Sequence, residues 1–258
     1  VSARGGRSHS WAAILAQCAG GLILYVTVSF TVGLLSGSPV LGTAVSGPVV
    51  FGAVAAWGRW APGAWSSSRV SEQARETQFW VFVLLGLVTC FLGGQTLAVW
   101  LYAEYGSPVF DAAQSAQNAV PVALLLFALV VAAPAGEEAL MRGLVYPLLR
   151  RRWPVLASAL VSSAVFAALH GNLVQIAVAL PLGMLLAFVH EHVGRLWPVV
   201  VLHALFNLAS VLVPVYLVGA MATPLVFSTA LVGAAAVLTV LYPARNDDDR
   251  GGRAPSPG

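Results

Sequence analysis

Apolar runs of about twenty residues, the length a helix needs to cross a hydrocarbon core of ~30 Å at 1.5 Å per residue, recur along almost the whole chain. Eight can be marked, at 11–35, 38–57, 78–102, 119–149, 154–171, 173–191, 196–213 and 215–242. Hydrocarbon offers no hydrogen-bonding partner, so each run must satisfy its own N–H and C=O groups and folds as a helix. Of the 258 residues 59% are hydrophobic and 9% charged, whereas about a quarter are charged in a soluble domain. These features exclude a soluble catalytic domain beside the spans. They predict an all-α, polytopic integral membrane protein with about eight transmembrane helices.

The basic residues orient this array. All 13 are arginine. Twelve fall in segments that an even number of spans places on one side: Arg4 and Arg7; Arg59, Arg69 and Arg75; Arg150, Arg151 and Arg152; Arg195; and Arg245, Arg250 and Arg253. Positive residues are retained on the cytoplasmic side, so both termini are expected there. The formal charge of +3 is scattered rather than gathered on a patch, which gives no support for a nucleic-acid partner. Cys18 and Cys90 both sit in apolar runs, where they read as packing residues rather than a disulfide framework. The run after Arg4 and Arg7 is too long for a signal-peptide core and reads as a retained first span.

The expected organisation is a cytoplasmic tail at 1–10, three transmembrane helices with loops at 11–118, a core at 119–213, a last helix at 214–243, and a disordered tail at 244–258. The segment "SEQARETQFW" at 71–80 reads as a surface helix leading into the third span.

The thirteenth arginine, Arg142, lies inside an apolar helix in the segment "GEEALMR". An ionised residue at the centre of a membrane helix costs ~2.5–3.5 kcal/mol, so Glu137, Glu138 and Arg142 need partners or water. Glu138 and Arg142 are four apart and share a helix face, which allows an ion pair. Glu137 lies about 100° round the helix and is left over. Two further spans carry polar groups: "FAALHGN" places His170 one turn after Phe166, and "HALFN" places His203 and Asn207 on one face. Counted from the nearest arginine expected in the cytoplasm, Glu137 lies ~20 Å deep, His203 ~12 Å, Asn207 ~18 Å and His170 ~25 Å, so His170 fits least well. His190 and His192 in "HEHVGRLW" do not share a face and read as a wet cytoplasmic edge.

The three motifs EExxxR, FxxxH and HxxxN, in this order on successive apolar helices, resemble those of the CPBP family, which holds the type II CAAX prenyl endopeptidases and the bacterial Abi proteins, including bacteriocin self-immunity proteins. The resemblance covers about residues 119–213; the first three spans resemble nothing nameable. It implies an intramembrane endopeptidase in which Glu137 is the general base with His170 beside it, and His203 and Asn207 hold the developing oxyanion. Glu138 and Arg142 are then structural, and Phe166 packs under His170. It further implies a peptide or membrane-protein substrate, lipidated in the eukaryotic case, a membrane-lipid environment, and a multi-pass location in a bacterial cell membrane. Two non-peptidase alternatives stand beside it: an immunity or adaptor protein of the Abi type, and a proton-coupled transporter, since intramembrane acids also mark proton relays.

Glu137, Glu138, His170 and His203 are of acceptable types for zinc, and the family has been called metalloproteases. The sequence nevertheless lacks HExxH, and Arg142 beside the carboxylates disfavours a cation. The expectation is no cofactor, with zinc as the alternative.

Overall fold

The computed structural model describes residues 10–60 and 71–242, which form helices and no strand. Arg4, Arg7, Arg69, Arg245, Arg250, Arg253, the side chain of Arg59 and both tails lie outside the described residues. In chain order come α1 (Trp11–Ser36), α2 (Pro39–Trp60), α3 (Thr77–Tyr105), α4 (Pro108–Asn118), α5 (Val122–Arg150), α6 (Val155–Ala168), α7 (Leu173–Val193), α8 (Leu196–Leu212), α9 (Val215–Met221) and α10 (Pro224–Leu241). Helices α1, α2, α3, α5, α7 and α10 are each long and apolar enough to cross a bilayer; α8 and α9 together make a seventh span if their bend is counted as one crossing. The chain is a multi-pass membrane protein.

Three boundaries differ from expectation. The run 215–242 is two helices, not one span. Thr223 caps the second by accepting from Val226 N, Pro224 opens it without needing an N–H donor, and Trp100 Nε1 holds the Ala222 carbonyl at 3.1 Å. Helix α9 meets α8 at 98°, with Pro214 at the corner. Helix α6 has 14 residues, about 21 Å of rise, which is short for a ~30 Å core. The amphipathic helix α4 was not anticipated; Ser107 caps it and Tyr102 Oη donates to its Asp111 at 2.8 Å.

The surface helix expected at 71–80 is instead a single 3₁₀ turn, Gln73–Arg75, before α3 begins at Thr77. Ser71 N donates to His192 O at 2.9 Å and Trp80 Nε1 to Ala74 O at 3.1 Å, so the segment folds onto the end of α7. This overturns the wet edge expected at His190 and His192. His190 is 5% and His192 3% exposed, and the His192 ring packs on Phe79 with Nδ1 at 2.9 Å from Phe188 O.

Helix α5 is the spine of the site, and its sequence explains its shape. Two π-turns, Phe127–Ala132 and Met141–Val145, flank the α-helical piece Ala133–Leu140 that carries both glutamates. Each π-turn ends two residues before a proline, Pro134 and Pro147. Proline has no N–H to give and its ring crowds the preceding turn, so the ladder shifts to a wider register there. Ala133 N–H reaches back to Ala128 O. The next bond in that register would run from residue 134 to Leu129 O, and Pro134 has no proton for it.

Helix α2 lies on α5 at backbone contact. A Cβ on Gly47 would strike the Ala132 carbonyl, and one on Gly136 would strike the Gly47 backbone. Small residues at both positions let the two helices approach as membrane helices without a hydrophobic drive must.

Candidate active site

Glu138 and Arg142 are paired as their spacing demands. Arg142 Nη1 lies 3.0 Å from both Glu138 oxygens, with both side chains 0% exposed. Arg142 Nη2 donates to the Gly183 carbonyl of α7, and the guanidinium carbon sits 5.6 Å above the Phe166 ring of α6. The buried cation is therefore met by a carboxylate, a carbonyl and an aromatic face, which together offset the desolvation that a lone charge would suffer. This pair ties α5 to α6 and α7.

His203 on α8 joins the pair from the other side. Its Nδ1 is 2.8 Å from Glu138 Oε1. A carboxylate ion-paired to arginine only accepts, so the hydrogen bond places the imidazole proton on Nδ1. In the neutral ring Nε2 then carries a lone pair, and it points to Glu137 Oε2 at 3.7 Å. The separation is beyond hydrogen-bond length.

Glu137 differs from its neighbour in access. It retains 9% exposure, whereas Glu138 has none. Its other oxygen, Oε1, accepts from the Tyr25 hydroxyl of α1 at 2.8 Å. Tyr25 was missed by the sequence reading, which held no motif for a single tyrosine in an apolar run.

The structure thus brings together Glu137, Glu138, Arg142 and His203. Phe166 is their shared wall: its ring meets His203 edge-on at 5.6 Å and His170 edge-on at 5.2 Å. His170 stands one ring further out at the end of α6, with Nδ1 at 3.2 Å from Phe166 O. His203 Nε2 is the imidazole nitrogen recorded near Glu137, 3.7 Å from Oε2. Asn207, one turn beyond His203, donates its Nδ2 to Leu129 O at 2.8 Å, the carbonyl that Pro134 leaves without a partner. A second polar cluster was also missed: Glu191 of α7 accepts from Tyr146 Oη at 2.6 Å and from Arg150 Nη2 at 2.7 Å. Tyr146 and Arg150 are one helical turn apart on α5, but Glu191 lies 45 and 41 residues from them on α7, with no local spacing to reveal it.

Cys18 and Cys90 are both free, Cys18 buried and Cys90 half-buried. Among the described residues no group of three or more His, Cys, Asp or Glu side chains is arranged to hold a metal ion. The donor set explains this. Glu138 Oε1 is shared by Arg142 and His203, and Tyr25 donates to one oxygen of Glu137.

Taken together, the fold and site define a helical membrane protein with a buried carboxylate, guanidinium and imidazole cluster and one accessible carboxylate. Residues 119–209 match the family model described as type II CAAX prenyl endopeptidase Rce1-like. The chain thus carries an Rce1-like segment, and that segment contains all three motifs, in accord with the resemblance they show. No curated protein and no solved structure matches the chain.

Proposed function

We propose that the chain is an intramembrane endopeptidase that hydrolyses a peptide bond with water activated by Glu137, without a metal. The observation that carries this reading is the division of labour between adjacent glutamates. Glu138 is sealed, its Oε1 accepting from both Arg142 and His203, while Glu137 keeps Oε2 facing Nε2 of His203 at 3.7 Å.

A water about 2.8 Å from each group closes that triangle. It donates one hydrogen to Glu137 Oε2 and one to His203 Nε2, which turns its lone pairs outward. As the water oxygen attacks the substrate carbonyl carbon, Glu137 takes a proton, and the carbonyl π electrons move onto oxygen as an oxyanion. Collapse of the tetrahedral adduct breaks the C–N bond, and the proton on Glu137 passes to the leaving amine. The second N–H of Asn207 and the ring of His170 are the donors on the oxyanion side, where one aligned donor is worth ~3–4 kcal/mol. Glu138 holds His203 in its tautomer, as an orienting carboxylate does in other hydrolases.

The Rce1-like segment supports a substrate presented at the membrane, either a peptide or a membrane protein, and a lipidated C-terminal tail is the form we favour. A bacterial cell membrane is the location we propose for it. The test is incubation of the purified chain in liposomes with farnesylated and unmodified CAAX-type peptides, with products read by mass spectrometry. Cleavage at one peptide bond supports the reading. Intact peptides, with or without proton movement across the liposome, support the adaptor or transporter alternative instead.

A further inference from the structure

We infer that Tyr25 of α1, outside the Rce1-like segment, is a positioning residue for Glu137, so that the N-terminal part of the chain completes the site. The inference rests on the peptidase reading above and adds a residue that no motif contains. Three observations carry it.

The first is depth. Trp11 opens α1 and packs on Trp153 just past the end of α5 at 5.2 Å, with Arg152 over its ring at 5.9 Å. The start of α1 and the end of α5 are therefore level. From that level, the run from Trp11 to Tyr25 and the run from Arg150 back to Glu137 each rise about 20 Å. The two side chains arrive at the same height from opposite chain directions.

The second is the fit between the helices. Gly21, one turn before Tyr25, faces α5, where a Cβ would press on Leu140 at 2.8 Å and Leu144 at 2.6 Å. The missing side chain lets α1 lie close enough for a tyrosine to reach a carboxylate on the neighbouring helix.

The third is the geometry at Glu137. Tyr25 Oη donates to Oε1 at 2.8 Å, and the other oxygen, Oε2, is the one facing His203. A carboxylate on an unbranched side chain turns freely about its last bonds unless one oxygen is held. Tyr25 holds that oxygen, and the remaining one is left for water.

The experiment compares wild type, Tyr25→Phe, Glu137→Gln and the double variant, purified in liposomes. Tyr25→Phe keeps the ring and its packing and removes only the hydroxyl. The activity-independent arm is the infrared carboxylate band of ¹³C-glutamate-labelled protein, assigned to Glu137 by its loss in Glu137→Gln. Tyr25→Phe is expected to shift this band; an unmoved band overturns the inference. In the kinetic arm Tyr25→Phe lowers kcat about 10- to 100-fold, the range for a hydrogen bond to a charged group, with KM changed less than about 2-fold. The double variant loses no more turnover than Glu137→Gln alone, because the two residues act as a unit. Unchanged kcat, or a loss confined to KM, also overturns it. Absence of wild-type cleavage would sink the peptidase reading, and the infrared arm would still decide Tyr25.

Discussion

Asn207 donates its side-chain amide to the carbonyl of Leu129 at 2.8 Å, at the point in α5 where Pro134 has removed the backbone donor. The third motif therefore does structural work on the helix that carries the first. A fully buried carbonyl stripped of its partner costs about 1–3 kcal/mol, and this half-buried one is expected at the lower end. Asn207→Ala is accordingly expected to lower stability by that amount as well as slow turnover. In a Pro134→Ala background, where residue 134 regains an N–H, the stability loss from Asn207→Ala shrinks. Melting of the four proteins in detergent measures the coupling, and an equal loss in both backgrounds argues against it.

The ion pair beneath the site is expected to be fragile to half-removal. Arg142→Ala or Glu138→Gln strands the other partner, at about 3–5 kcal/mol. Glu138→Gln with Arg142→Ala removes both charges of the pair and is expected to cost less than the two single changes added together. Chemical denaturation in mixed micelles gives the comparison; strict additivity of the two losses goes against the pairing.

Helix α2 is held to α5 through glycine. Gly136→Val places three heavy atoms where the Gly47 backbone lies, and overpacking of this kind costs about 1–3 kcal/mol. The separation of α2 from α5 can be read from spin labels on their outer faces. It is expected to widen in Gly136→Val and to stay unchanged in Gly52→Val, since Gly52 has open space around it.

The donor set bears on metal dependence. With Glu138 engaged by Arg142 and His203, purified protein is expected to hold less than stoichiometric zinc and to keep its turnover after strong chelators. Elemental analysis and a chelator series measure both. Stoichiometric zinc that leaves together with activity, and restores it on return, goes against the metal-free reading.

How far the sequence could see follows from the range of each interaction. Glu138 and Arg142 are one helical turn apart, and hydropathy is a property of each run, so the pair and the helical membrane architecture were both legible. His203 was legible as an intramembrane histidine, but its bond to Glu138 spans 65 residues and no local pattern encodes which nitrogen it uses. The burial of His192 depends on Ser71 and Phe79, more than a hundred residues earlier, folding onto the end of α7, and His190 packs instead against the Tyr146 ring of α5. The break at Ala222 was hidden because the residues on both sides are apolar, and composition does not report a missing backbone donor in lipid. Tyr25 was out of reach for the same reason: its significance is a height shared with Glu137, which emerges only once Trp11 has been set against Trp153.

The central claim is that Glu137 activates the attacking water. It is tested most directly by the turnover of purified Glu137→Gln on a peptide that the wild-type chain cleaves in liposomes, with melting temperature recorded on the same samples. Glutamine keeps the size and the contact with Tyr25 while removing the base. The account predicts a fall in kcat of at least about 10²- to 10⁴-fold, the usual yield of a positioned general base, with the melting temperature close to that of wild type. Turnover equal to wild type in a folded Glu137→Gln protein would contradict it.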